Sequence, residues 1–314
     1  MCEHGWVRRR TAAPLSIVTG TAVAGGLALA WAAGFEVRSF RLRRVDVPLL
    51  APGSRPLRLL HVSDLHLTPD QHRKRNWVRA LAGLEPDLVI STGDNLAHRE
   101  AVPAVLEALG PLLERPGAFV TGSNDYYAPT VKNPLRYLLP DDGVRVHAGE
   151  LPTEDLRDGL TAAGWLDLDN ARGRLKADHR EVELVGTGDG HIQHDRYHEV
   201  AGPPDPAVDL SLAVTHAPYR RVLDPMTRDG FSLILAGHTH GGQVCMPGVG
   251  ALVTNCDLPR RQASGLSTWR SDGRRSWLHV SAGLGTSPYA PIRFACPPEA
   301  TLLTLVERPA TDLG

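Results

Sequence analysis

Five strand-length apolar runs in this chain each break off into an acid, an imidazole or an amide, and that recurring ending restricts the fold more than any other feature. LRLLHV (57–62) leads into Ser63, Asp64, Leu65 and His66. DLVIST (87–92) leads into Gly93 and Asp94, and GAFVTG (117–122) into Ser123, Asn124 and Asp125. DLSLAVTH (209–216) closes on His216, and FSLILAG (231–237) on His238, Thr239 and His240. These runs are rich in branched residues and bounded by Gly, Pro or Asp, as strands are. EVELVGTG (181–188), WLHVSAG (277–283) and TLLTLVE (301–307) have the same character, and RLRRVDVPLL (41–50) offers a first strand. Helical patterns separate several of them: NWVRALAGL (76–84), AVPAVLEALGPLL (101–113) and TEDLRDGLTAAG (153–164). In the last, Thr153 ahead of Glu154 and Asp155 reads as a helix cap. Strands alternating with helices specify an α/β layered domain.

Sites in open α/β sheets gather beyond the carboxyl ends of the strands. Asp64 and His66, two apart on an extended chain, face one side, as do His238 and His240. Taken singly these residues say little, because Asp after Gly is an ordinary turn residue and Gly, Ser, Asn and Asp all suit turns. The ordered set of five points to a metal. Carboxylate, amide and imidazole ligands without thiolate suit Mn, Fe or Zn. Amidohydrolases also combine HxH with Asp, but they place HxH at the first strand and the Asp late, the reverse of the order here. The cysteines (Cys2, Cys245, Cys256, Cys296) form no CxxC pair, so a zinc ribbon or thioredoxin-like motif is unsupported. They read as structural.

At these residues the chain resembles the calcineurin-like metallophosphoesterases, whose pattern is DxH, GD, GNH[D/E], a later His, and GHxH. The resemblance covers residues 57 to 307. GHTHGGQ, together with the late GLGTS, PIRF and PPEA segments, is most similar to the bacterial membrane-associated branch of the YkuE/YaeI type. The resemblance implies a four-layer αββα sandwich, two mixed β-sheets flanked by helices. It implies one metal held by Asp64, His66, Asp94 and His240, and a second sharing Asp94 with His216, His238 and an Asn. It further implies two divalent ions and hydrolysis of a phosphodiester or phosphomonoester by metal-bound hydroxide. A non-catalytic scaffold that keeps the fold is the alternative.

The family writes Gly-Asn-His-Asp where this chain has Gly122-Ser123-Asn124-Asp125. Aligned without a gap, Ser123 falls on the metal-binding Asn and Asn124 on the His. A one-residue slip lets Asn124 keep the ligand role, and an amide carbonyl is the better neutral oxygen ligand. The family histidine is absent either way. Asp125 can replace it as a proton donor only if its pKa is raised. His98, His191, His194 and His198 are other imidazoles within reach, although their spacing fits a solvated loop. Tyr126 and Tyr127 stand at an entrance or pack.

Residues 11 to 35 carry no charge and follow Arg8, Arg9 and Arg10, and about 20 apolar residues suffice to span a bilayer. We expect a basic amino terminus (1–13), a transmembrane or signal-anchor helix (14–35), a connecting segment that offers a first strand (36–56), the phosphoesterase domain (57–307) and a tail (308–314). Ala30-Trp31-Ala32 also resembles a signal cleavage site. Arg38, Arg41, Arg43 and Arg44 beyond the segment compete with the leading arginines over orientation. The expected location is a single-pass cell-membrane protein with its catalytic domain outside the cytoplasm. Its expected partners are the membrane and a phosphoester of an envelope lipid or nucleotide. Residues 1 to 44 hold seven Arg against Glu3 and Glu36, +5 of a net −1, so the body is mildly acidic. That balance does not suggest a nucleic-acid binder, whose footprint is a basic stripe.

Overall fold

The computed structural model describes residues 23–130 and 148–309. Two six-stranded mixed sheets face each other. The first has the order β1 (Arg41–Leu50), β14 (Glu299–Glu307), β2 (Leu57–Val62), β3 (Leu88–Ser91), β4 (Gly117–Phe119) and β5 (Leu166–Asp167). The second has the order β12 (Gly265–Ser271), β13 (Arg274–Val280), β9 (Leu233–Ala236), β8 (Leu210–Thr215), β7 (Arg180–Thr187) and β6 (Arg172–Ala177). β2, β3, β4 and β5 pair in parallel, as do β7, β8, β9 and β13, while β14–β2, β12–β13 and β6–β7 are antiparallel. β10 (Cys245–Met246) and β11 (Gly250–Ala251) form a separate hairpin.

Side-chain alternation along each strand builds the layers. Leu57, Leu59, Leu88 and Ile90 of the first sheet meet Leu212, Val214, Leu233 and Leu235 of the second in one buried cluster. The opposite face of the first sheet, with Leu60, Val62, Val89 and Phe119, packs under the helices His72–Ala80, Val102–Leu109 and Thr153–Ala162. The opposite face of the second, with Ala213, Ile234 and Leu278, packs under the helix Arg220–Asp229. Both faces of each sheet are covered, which is why the central strands read as continuous apolar runs.

The first strand offered by residues 41–50 is present, an edge strand paired in parallel with β14, so the folded body begins before residue 57. One sequence expectation needs correction. Thr153 is the first helical residue and caps nothing: Pro152 holds the cap position, and the Thr153 hydroxyl donates to Asp125 O at 2.7 Å. The expected transmembrane helix over 14–35 lies partly outside the described residues, and residues 1–13 and 310–314 lie wholly outside them. Residues 23–30 are helical and run into a π-type turn, Trp31–Phe35, and a tight turn, Glu36–Arg38. Among the described residues no helix is long and apolar enough to cross a membrane.

Leu59 is wholly buried between the sheets. Leu59→Ala should therefore cost about 2–5 kcal/mol of stability. Urea unfolding should show a lower midpoint with an unchanged slope.

Candidate metal centre

The side chains expected to bind metal stand just past the carboxyl ends of five strands, β2, β3 and β4, neighbours in the first sheet, and β8 and β9, neighbours in the second. Asp64, His66, Asp94 and His240 offer ligand atoms that all lie within 4.8 Å of one another. The Nε2 atoms of His66 and His240 approach to 3.2 Å, His66 Nε2 lies 3.5 Å from Asp94 Oδ2, and His240 Nε2 lies 3.6 Å from Asp64 Oδ1. The convergence arises differently from the extended alternation expected. Asp64, His66, Asp94, His238 and His240 all have positive φ, between 41° and 68°. The chain turns sharply at each strand end and turns the ligands inward, a conformation that costs about 1–3 kcal/mol per non-glycine residue and persists where packing over-determines it.

A second group adjoins the first through Asp94. His216 Nε2 lies 3.5 Å from the same Asp94 Oδ2 that faces His66, and it is buried without a hydrogen-bond partner. His216 Nδ1 donates to Thr92 O at 2.7 Å, which fixes the ring and aims Nε2 at the gap. The His238 ring stands edge-on to that of His216 with centroids 5.2 Å apart. Its Nε2 meets Asn255 O at 3.2 Å. Asn124 lies against Asp94: its backbone N–H donates to Oδ1 at 2.8 Å and its amide nitrogen to Oδ2 at 2.7 Å. Ser123 Oγ accepts from that amide nitrogen at 3.5 Å. An orphaned buried imidazole nitrogen, a shared carboxylate and a donor set of nitrogen and oxygen fit divalent metal ions.

Asp125 has a different task from the proton donor expected. It is fully buried, and its two oxygens accept the backbone N–H groups of Asp94, Asn95, Leu96 and Gly122 at 2.7–3.1 Å. Burial and the Asp94 charge push its carboxyl up to about 7, yet no face of it is open to a substrate. It locks the loop that carries Asp94 to the turn that carries Asn124. Gly122 must be glycine there, because a Cβ would come within 2.3 Å of Asp94 Oδ1 and 2.8 Å of His216 Nδ1.

The imidazoles proposed as replacements divide. His98 and His198 are exposed. His191 packs its ring 4.6 Å from that of His238, and His194 stands edge-on to Tyr126 at 5.0 Å. Tyr126 itself is tied to Thr121 and Asp169, and Tyr127 pairs with Glu150.

Several residues that sequence reasoning missed hold the ligands in place. Arg293 is fully buried and donates to the carbonyls of Ala282, Gly283 and Gly285, the last of which accepts His240 Nδ1–H at 3.0 Å. Lys74 Nζ donates to Leu65 O at 2.7 Å; burial and Arg293 push its pKa down to about 7. Asp189 is buried with Oδ2 unpartnered and Oδ1 accepting His191 N–H. A hydrogen-bonded chain crosses the space between the sheets, from His279 through His61, Thr92 and Ser63 to Asp64. Only Arg293 carried a signal, standing in the PIRF segment.

Charges in the centre are strongly coupled. Burial pushes Asp64 up to about 6, with Asp94 adding to it and His216 opposing. For His216 burial lowers the pKa, but Asp94, Asp189 and Asp64 outweigh it and raise it to about 10. Asp94 stays ionised because His216, His66 and the Asn124 donors overcome its burial.

A family model described as "Calcineurin-like phosphoesterase" matches residues 57–242. Over 226 residues the chain is 31% identical to a bovine (Bos taurus) "Transmembrane protein with metallophosphoesterase domain", covering 67% of this chain and 47% of that protein. The chain thus spans about half the length of that relative. It is 27% identical to "Phosphodiesterase YaeI" of Escherichia coli over 275 residues, 85% of this chain and 88% of the relative. Among solved structures, that of Haemophilus influenzae NAD nucleotidase overlaps 74% of this chain and 51% of its own, with a TM-score of 0.41 and 9% identity.

Two outcomes follow from this geometry. Gly122→Ala should fold but purify with less bound metal than the wild type, measured as the metal-to-protein ratio. A metal-free His216 raised to about 10 is protonated at pH 7, and a metal ligand must be neutral. Mn²⁺ binding at pH 7 should therefore release a proton, seen calorimetrically as binding heats that scale with buffer ionisation enthalpy; heats independent of buffer would contradict it.

Proposed function

The chain belongs to the calcineurin-like phosphoesterase family, and from that premise we propose that it is a hydrolase of phosphoesters working with two divalent metal ions. The observation that carries the reading is the convergence of Asp64, His66, Asp94 and His240 beside the orphaned Nε2 of His216. Asp64, His66, Asp94 and His240 would hold one ion. Asp94, His216, His238 and the Asn124 amide, turned so that its oxygen faces inward, would hold the other. Bound ions supply Lewis-acid activation of the phosphoester and of an attacking water.

The chain's own residues do the positioning. Thr92 O and Gly285 O fix the rings of His216 and His240, and such outer partners are typically worth 10–100-fold in affinity or activity. With Asn124 in the ligand role, the motif has no counterpart of the family histidine, and an amide supplies no proton at neutral pH. General acid catalysis is worth about 10²–10⁴-fold, so turnover should favour substrates with good leaving groups. The name of YaeI supports a phosphodiester. The name of the bovine relative and the uncharged stretch at 11–35 support attachment to a membrane. A non-catalytic scaffold is disfavoured, because almost all of the expected metal ligands are kept.

The full chain, stripped of metal, should hydrolyse bis-p-nitrophenyl phosphate only after Mn²⁺ is added. Asp94→Asn should lower that turnover by more than about 100-fold, beyond what losing an outer partner does, without changing the circular dichroism. Full activity in folded Asp94→Asn would sink the mechanism.

A further inference from the structure

The exposed large hydrophobic side chains of the described residues are not scattered. Four surround the β10–β11 hairpin and its neighbouring loop: Val244, Met246, Val249 and Tyr289. The other five, Val23, Leu27, Leu29, Trp31 and Phe35, stand on the amino-terminal helix and its last turn. No large hydrophobic elsewhere among the described residues is counted as exposed.

One strip of chain, residues 290–296, joins these segments. On one side Arg293 N–H donates to Ala32 O at 3.2 Å, and Cys296 N–H donates to the buried Glu36 carboxylate at 2.7 Å. On the other, Cys245 N–H donates to Phe294 O at 2.8 Å, Phe294 N–H to Gln243 O at 3.1 Å, and the Gln243 amide to Ala290 O at 2.9 Å. The helix end and the hairpin are thus neighbours on one face.

Its chemistry fits a lipid surface. Residues 241–256 carry no charge, and neither do residues 11–35, whose last part is the helix on this face. Trp31, Phe35 and Tyr289 supply aromatic rings of the kind that settle at headgroup level. Exposed arginines flank both segments, Arg38, Arg41 and Arg44 after the helix and Arg260 and Arg261 after the hairpin. Arginines beside an apolar insertion attract anionic headgroups. A contiguous exposed apolar patch with a polar rim marks an interaction site, and the uncharged segment running into this one selects a bilayer as the occupant.

We propose that the Cys245–Ala251 hairpin and Tyr289 are a second membrane contact, entering the same leaflet as the amino-terminal segment and holding the metal centre beside the headgroup layer. Val244 is only four residues beyond the ligand His240, so the two are within about 14 Å along the chain. The Cys296 thiol donates to His240 O at 3.2 Å, linking the strip to the centre. The substrate is then a phosphoester at a lipid headgroup. That choice of substrate rests on the phosphoesterase reading; the contact itself rests on the surface alone.

The test uses the full chain in vesicles of phosphatidylcholine and phosphatidylglycerol that contain a diazirine-bearing phospholipid. After irradiation, lipid adducts are mapped by peptide mass spectrometry. Adducts are expected on the peptides holding residues 244–251 and Tyr289 as well as on the amino-terminal segment. Met246→Glu with Val249→Glu should remove the hairpin adducts and lower turnover of a vesicle-embedded lipid phosphoester about tenfold, with soluble bis-p-nitrophenyl phosphate turnover unchanged. Adducts confined to residues 1–35, or a hairpin that cross-links to a second copy of the chain instead of lipid, overturn the proposal. A hairpin that is labelled in a protein inert towards all phosphoesters would sink the hydrolase reading and leave the membrane contact standing.

Discussion

The carboxylate of Asp94 is the interaction on which the rest of the centre depends. A buried carboxylate loses several kcal/mol of hydration, which only paired charge and directed hydrogen bonds offset. Here the compensation comes from three directions: His66 and His216 each 3.5 Å from Oδ2, and Asn124 donating twice from the neighbouring turn. The exchange is reciprocal. Asp94 accepts from the turn after β4, while Asp125 of that turn accepts from the backbone of the loop that carries Asp94. Two strand ends are thereby locked into one unit, and the imidazoles of the second sheet close on it.

The two-sheet core makes this arrangement affordable. Five ligands sit in left-handed backbone conformations, strain that would relax in a loosely held loop. Each follows a short strand whose side chains are buried on both faces, in one cluster between the sheets and in others beneath the helices. The relay from His279 through His61, Thr92 and Ser63 to Asp64 ties the second sheet to a ligand on the first. Burial lowers the pKa of both histidines, so both rings are neutral. With neutral rings every donor in that relay can point towards Asp64, and this steadies its carboxylate without placing a further charge in the core.

Much of this was legible from short-range pattern. The eight apolar runs became strands because branched residues bounded by turn formers suit a buried strand, and the ligands were named by position at strand ends. What the pattern missed has identifiable causes. β5, β6 and β12 are short or half-exposed and lack a continuous apolar run. Thr153 looked like a cap because acids follow it, but tertiary contact with Asp125 O claimed its hydroxyl. Asp125 was a proton-donor candidate only with a raised pKa; burial does raise it, but three backbone N–H groups from across the site and that of Gly122 consume its oxygens. Arg293 and Asp189 lie far along the chain from the ligands they steady.

The sequence by itself determined the layered α/β class, the order of the strands that bear ligands and the nature of the donor atoms. These follow from side-chain period and residue chemistry, which are local. Only the tertiary structure decided how Asp64 and His66 converge, since a left-handed turn leaves no periodic signature. Only it decided that Asn124 rather than Ser123 faces Asp94, because that depends on how two strand ends from distant segments interlock. And only it gathered the exposed apolar residues of the helix and the hairpin onto one face, since residues more than 200 positions apart become neighbours through the strip at 290–296, not through anything written between them.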